Sequence, residues 1–468
     1  MSHTAIESTG NANPGGFQEV LHVAVPLVLS TSSLTLTLFV DRLFLSWHSL
    51  ESVAAVTPGG ITYFTICCFF QGVAQYVNTL VAQSHGAGNW SQVSRSVWQG
   101  VIFSFLAIPL MILCVPAGKF ALNISGHDPA VLELEIEYFQ ILMAGGLIVP
   151  MGAAFSSFFS GRGETSYVLL GNLMGNVFNI VMDYVLIFGK LGFPEMGIRG
   201  AAIATSLSNI IPLSYWAWLF MSDRYRNPYN TRGEMKWDRL VFSRLLKFGL
   251  PAGAQFVLDI GSFTAFVLIV GKLGVTDLAV TNIALSIESL SFLPMVGISI
   301  ATSTLVGEYI GQKKLDIAEK SVKSAMMIAI GYSGALALVF WVFPHFLLEL
   351  FTTGSNTAAG NETFFAKGSF VVRLIGLYTV FDTIFIVYTG ALKGAGDTRF
   401  AMWAQVLLAW VFFVPPVFVM IVHFGMGLYW AWSWLVVYVL VISLVFHLRF
   451  RSGKWKHISV MNRVDGEG

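Results

Sequence analysis

The chain has 468 residues, 55% of them hydrophobic and only 11% charged, where an average soluble domain carries about 25% charged residues. A soluble fold cannot hide that much apolar surface, so the bilayer is the expected solvent. A formal net charge of +1 excludes the strong basic excess that nucleic-acid binding needs.

In chain order, residues 1–16 (MSHTAIESTGNANPGG) form a polar tail with neither the charged start nor the apolar centre of a signal peptide. Twelve apolar spans follow, at about 17–46, 53–83, 96–118, 131–160, 166–189, 198–221, 245–270, 277–308, 322–343, 364–391, 400–423 and 427–450. Several exceed the ~20 residues that cross a bilayer, so tilt and kinks are expected. With the N-terminus cytoplasmic, the even-numbered connections and the C-terminal end hold twenty Lys and Arg, Lys393 among them, against seven elsewhere. The positive-inside rule therefore places both ends in the cytoplasm. Cys67, Cys68 and Cys114 lie in apolar runs, without disulfide or metal-ligand spacing, and read as buried small residues.

The halves on either side of the polar connection 222–239 repeat one another. At one offset of 225 residues, LHVAVPLVLS (21–30) meets LKFGLPAGAQ (246–255), and VAQSHGAGNW (81–90) meets VGEYIGQKKL (306–315). These alignments pair Pro26 with Pro251, Gln83 with Glu308 and Gly86 with Gly311. Further on, GRGET (161–165) echoes GAGDT (394–398). The expected organisation is a tail (1–16), a first lobe (17–221), a linker (222–244), a second lobe (245–450) and a C-terminal tail (451–468), the lobes related by an axis normal to the membrane.

Ionised side chains inside a bilayer are costly and usually functional. Asp41 and Asp183 lie at similar depth near the outer ends of spans 1 and 5, and Asn179 shares a helical face with Asp183 one turn away. Two carboxylates and an amide carbonyl at one level suit a proton relay or Na⁺, which takes oxygen ligands. Asp259, Glu288 and Asp382 fall near one depth in the second lobe. None of these positions is acidic in both repeats, as expected of chemistry grafted on a duplicated frame. The plainer alternatives pair Asp41 with Arg42, and Arg373 with Asp382 or Glu288. Glu308, Glu349 and Glu362 at span ends, and Glu133, Glu135 and Glu137 at the start of span 4, read as solvated or helix-end charges.

Pro26, inside span 1, removes a backbone hydrogen bond and permits a bend, while Pro251 reads either as its counterpart or as an ordinary first-turn proline. Tyr63, Phe70, Tyr76 and Phe292 are candidates to line a cavity for flat cations. NIS (123–125) and NET (361–363) match glycosylation sequons. Short loops point to a prokaryotic plasma membrane. No His/Glu metal motif, nucleophile–base pair or phosphate loop suggests an enzyme or a cofactor.

From Phe17 to Arg451 the chain resembles the multidrug and toxic compound extrusion (MATE) family. The carrying stretches are Pro26…Asp41, VAQSHGAG (81–88), NIVMDYVLIFG (179–189), PEMGIRGAAIAT (194–205), GLP followed by Asp259, LVGEYIGQ (305–312) and FDTIFIVYTGALKGAGDTR (381–399). The resemblance implies an all-α membrane protein of twelve helices in two six-helix bundles around a V-shaped central cavity. It implies a monomeric antiporter that moves H⁺ or Na⁺ inward and organic cations and other drugs outward. It carries a cation site onto Asp41, Asn179 and Asp183, with Thr205 contributing from span 6, and a second onto Asp259 and Asp382. Asp259 stands where the family often has Glu, and Glu288 belongs to neither pattern. The alternative within the superfamily is a flippase for lipid-linked saccharides, which would want a basic cavity.

Overall fold

A computed structural model describes residues 13–124, 127–352, 362–458 and 460. Most of both tails, Ser125 of the first sequon and Asn361 of the second lie outside them. Among the described residues every regular element is helical. The first half comprises α1 (Phe17–His48), α2 (Leu50–Gln75), α3 (Val77–Gly86), α4 (Trp90–Asn123), α5 (Pro129–Gly146), α6 (Val149–Ser160), α7 (Thr165–Ile187), α8 (Ile198–Ser208) and α9 (Ile210–Phe220). A short α10 (Asp223–Tyr229) leads to α11 (Arg239–Gly271), α12 (Val275–Gly311), α13 (Leu315–Val342), α14 (Pro344–Thr352), α15 (Glu362–Ala395), α16 (Thr398–Leu407), α17 (Val414–Val422) and α18 (Leu428–Arg451).

Ten of these stretches are long and apolar enough to cross a membrane, and the pair α5–α6, bent by 44°, makes eleven. The span expected over 198–221 is made by α8 and α9, 11 residues each, so neither suffices alone. Polar side chains set several starts. The Oγ of Ser49 accepts from the Ser52 N–H, Asn89 from Gln92, Asp128 from Ala130, and Asp238 from Leu240 and Val241. The repeated turns GRGET and GAGDT place Gly163 and Gly396 at φ of 73° and 90°, a backbone that a Cβ would strain.

Proline explains the irregularities. In hydrocarbon a carbonyl released by proline needs a substitute donor. Pro150 releases the Gly146 carbonyl at the α5–α6 bend, and the Cys67 thiol donates to it at 3.8 Å. Pro294 in α12 releases the Leu290 carbonyl, which accepts from the Tyr332 hydroxyl at 3.0 Å. Pro415 and Pro416 follow a π-helical turn at Leu408–Phe413, and the indole of Trp434 donates to the Phe412 carbonyl at 3.3 Å. Pro26 sits inside the unbroken α1. Among the described residues no side chain is seen donating to its released partner, the His22 carbonyl, which leaves α1 able to bend there. Pro251 lies well inside α11 and is not a first-turn proline.

The contacts between the halves come in symmetric pairs. A Cβ on Gly86 would meet the Glu308 carbonyl oxygen at 2.0 Å, and one on Gly311 would meet the Gln83 carbonyl oxygen at 2.2 Å. A shift of 225 residues turns one contact into the other. Gly72 against Gly253 (2.9 Å) and Gly297 against the Val28 N–H (2.7 Å) form a second such pair. The third is a hydrogen bond from Asn78 Nδ2 to Thr304 Oγ1 (3.1 Å), matched by one shared between Thr79 and Ser303 (3.3 Å). Reciprocal contacts of this kind define a twofold interface. They gather towards the ends that carry the even-numbered connections, where Gln83 Nε2 also donates to the Gly394 carbonyl at 2.9 Å. Glu308, expected in solvent, lies in this closure, 3.9 Å from His85.

Other sequence-level expectations are corrected in the same way. Glu135 is fully buried against His127 at 2.7 Å, whereas Glu137 stays near the surface as expected, paired with the exposed Arg199 at 2.5 Å. Arg162, in the GRGET turn, is buried. It is ion-paired with Glu164 at 2.5 Å and stacked on Phe158, Tyr225 and Tyr229.

The connection after α10 is clamped to α4. Glu234 and Asp238 both bind Arg95, at 2.8 and 3.1 Å, and Ser91 donates to Glu234 at 2.7 Å. Burial pushes the Glu234 carboxyl up, but the Ser91 hydroxyl and the Arg95 guanidinium outweigh it and hold it below its ordinary value. A carboxyl depressed in the folded state stabilises fully above its unfolded value, and that contribution is lost as pH falls through the folded value. Amide protection factors across 230–238 are therefore expected to be high at neutral pH and to collapse below about pH 4. In Glu234→Gln they should already be low at neutral pH, and undiminished protection there would refute the clamp.

Candidate functional site

A polar seam joins α1 to α7. Asn172 Nδ2 donates to Ser30 Oγ at 2.6 Å, and Asn176 Nδ2 to Ser33 Oγ at 2.7 Å. One turn further the Asn179 amide, oriented to satisfy both neighbours, donates to Asp41 Oδ1 at 3.1 Å and accepts from the Thr205 N–H at 3.3 Å. Asp183 ends the seam, its carboxyl within hydrogen-bonding reach of the Asp41 carboxyl. The α7 members step by 4, 3 and 4 residues, the spacing of one helical face. Asn172 and Asn176 extend the Asn179–Asp183 pattern along the same face, and carrying no charge they do not stand out among the ionisable residues.

This arrangement has little solvent and no ion-paired base. Asp183 is 0% exposed, Asn179 2% and Asp41 8%. Arg42 is exposed and acts on Asp41 electrostatically, but among the described residues neither carboxyl has an ion-pair partner, so the Asp41–Arg42 ion pair is not formed. The Asp183 Oδ1 atom is enclosed and has no hydrogen-bond donor. Two desolvated carboxyls in apposition suit one shared proton or one small cation between them. The Tyr138 ring stands beside both acids.

In the second half Asp259, Glu288 and Asp382 face one another across α11, α12 and α15 closely enough to interact electrostatically. They do not converge into a three-acid metal-ligand set among the described residues. Arg373 is exposed and pairs with none of them, so the structural ion pair is excluded. Asp259 accepts from Gln405 Nε2 at 2.8 Å, and the same amide reaches the Tyr438 hydroxyl at 3.2 Å.

A cavity of about 150 Å³ lies where the halves meet, walled by α2, α3, α11, α12 and α15. Tyr76 and Phe292 line it, as does Asp259. Tyr63 and Phe70 do not. Tyr63 packs over Gly146 within its own half, and Phe70 is buried against Phe69. Lys393, assigned by sequence to the turn after span 10, is instead in the last turns of α15, which runs on to Ala395, and it borders this cavity.

Helical halves related by a twofold, packed around buried acids and an interfacial cavity, define a membrane transporter of the two-lobe type. A MatE family model matches residues 26–185 and 251–419, its two matches opening at the repeat-related Pro26 and Pro251, and the chain belongs to that family. It is 27% identical over 453 residues to the probable multidrug resistance protein NorM of Thermotoga maritima, which covers 95% of this chain and 94% of that protein. Among solved structures it is similar to an outward-facing multidrug resistance MATE family transporter of the MOP superfamily, with a TM-score of 0.85 and 22% identity over 95% of this chain and 98% of that one. A MOP superfamily transporter from Pyrococcus furiosus matches with the same values.

Proposed function

We propose that this protein is a secondary active multidrug exporter that exchanges H⁺ or Na⁺ moving inward for organic cations and other xenobiotics moving outward by alternating access. The observation that carries the reading is the Asp41–Asp183 carboxyl pair, sealed from solvent, without an ion-pair partner among the described residues and left with an oxygen lacking any donor. Such a pair is stable with a positive ion and strained without it, so ion occupancy biases the packing of α1 against α7. Pro26, with no side chain donating to its released carbonyl, lets α1 respond. Ion and drug then act through one conformational equilibrium, and their effects are reciprocal. The multidrug resistance relatives support the substrate class. The expected setting is a prokaryotic plasma membrane, a monomer with both termini cytoplasmic. The closure by Asn78, Thr79 and Gln83 then lies on the cytoplasmic side, leaving the lobes poised to release outward.

The test is efflux of a fluorescent cationic dye from proteoliposomes, driven separately by a pH gradient and by a sodium gradient. One of the two should drive accumulation that collapses with its ionophore. Dye flux indifferent to both gradients, or flux that never saturates, would defeat the antiport reading.

A further inference from the structure

The interfacial cavity carries two charged side chains of opposite sign, Asp259 and Lys393. They feel each other electrostatically yet do not form an ion pair. In a low-dielectric interior, opposite charges free to meet would close up. Here Asp259 is instead held by Gln405, itself braced on Tyr438. Among the described residues nothing is seen to hydrogen-bond or ion-pair with the Lys393 ammonium. The Lys393 carbonyl accepts from the Thr79 hydroxyl at 3.4 Å, which ties the base of this lysine to the closure between the halves.

Further polar atoms wait in the same wall. Gln255 Oε1, the Tyr76 hydroxyl and the Thr389 hydroxyl are buried, belong to residues lining the cavity, and have no protein partner. Buried polar groups are normally satisfied, so the wall of this cavity is incompletely paired in polar groups. Phe256, Phe292 and Phe385 also line it, and about 150 Å³ is space enough for a benzene-sized body.

We propose that this cavity binds small zwitterions, seating a cationic group at Asp259, an acidic group at Lys393 and an aromatic body among the phenylalanines. Substrates would then be selected by paired charges and not by positive charge alone. The inference rests on the exporter reading only in treating the cavity as the substrate's, and its test needs no gradient, so the two can fail separately.

The full-length protein in lipid nanodiscs is titrated calorimetrically at pH 7 with three probes of one shape: 4-(aminomethyl)benzoate, a zwitterion; its methyl ester, a cation; and 4-methylbenzoate, an anion. The zwitterion should bind at least about 10-fold more tightly than either analogue. Lys393→Met should reduce it to the level of the ester while ester binding persists, which also shows that the variant is folded. Lys393→Arg should keep the preference, and Asp259→Asn should reduce the zwitterion to the level of the anion. Equal affinity for all three probes, no binding by any of them, or a Lys393→Met variant that weakens zwitterion and ester alike would overturn the proposal.

Discussion

Replacing Asp183 with Asn is expected to abolish gradient-driven efflux, by about 100-fold, while equilibrium binding of a cationic dye stays within a few-fold of the wild type. The amide has nearly the same shape and stays neutral at every pH, so it resembles the neutralised state of the pair and cannot return from it. In the wild type the Oδ1 atom of Asp183 lacks any donor, and the Asp183 carboxyl lies within reach of the Asp41 carboxyl. The variant's amide N–H can donate to the Asp41 carboxyl, a contact that no longer depends on an ion. The lobe loses its reason to rearrange when the ion arrives, although the cavity beside Asp259 is untouched. Asp41→Asn should act in the same direction, because the pair and not either member holds the ion. Asn172→Ala, further along the seam, should lower thermal stability by about 1 kcal/mol with coupling retained. Coupled transport at the wild-type rate in Asp183→Asn proteoliposomes would remove the first-lobe site from the mechanism.

Adding a single methyl group at Gly86 or Gly311 is expected to hold the two halves apart. The new Cβ would stand 2.0 Å from the Glu308 carbonyl oxygen in one case and 2.2 Å from the Gln83 carbonyl oxygen in the other. Both obstacles are backbone, so no side chain can rotate away and a helix must move. Overpacking of this kind costs about 1–3 kcal/mol, enough to shift a two-state equilibrium by roughly 10- to 100-fold. Alanine also favours the helix over glycine, so each change should leave the helix itself no weaker. The loss falls on the closed arrangement alone. A Thr79→Cys/Ser303→Cys pair reports it, since their hydroxyls are 3.3 Å apart across the closure. Disulfide formation should be at least about 10-fold slower in either alanine background, and equally so in both, because the contacts are twofold images. Undiminished cross-linking would show that this approach of the helices is not the gate.

Much of the molecule follows from local properties of the chain. The span limits read from hydropathy agree with the helix ends to within a few residues for most spans, because transfer from water to hydrocarbon acts on each stretch alone. The repeat was legible for a similar reason: close packing at a twofold admits only glycine at 86 and 311, and the turns at 163 and 396 admit little else. The acids stood out because nothing apolar explains them. What tertiary structure alone decided is which of these groups meet. Whether Asp41 faces Asp183 or Arg42 depends on the rotation of α1 against α7, set by a seam of asparagines and serines that carry no charge to advertise it. Whether Lys393 lies in a cytoplasmic turn or at the cavity that Asp259 also lines depends on how far α15 continues, and Arg162 is buried only because Tyr225 and Tyr229 come from a later element to cover it. Hydropathy and helical period are one-dimensional; the partner of a buried charge is chosen by how helices cross, and that is a property of the packed whole.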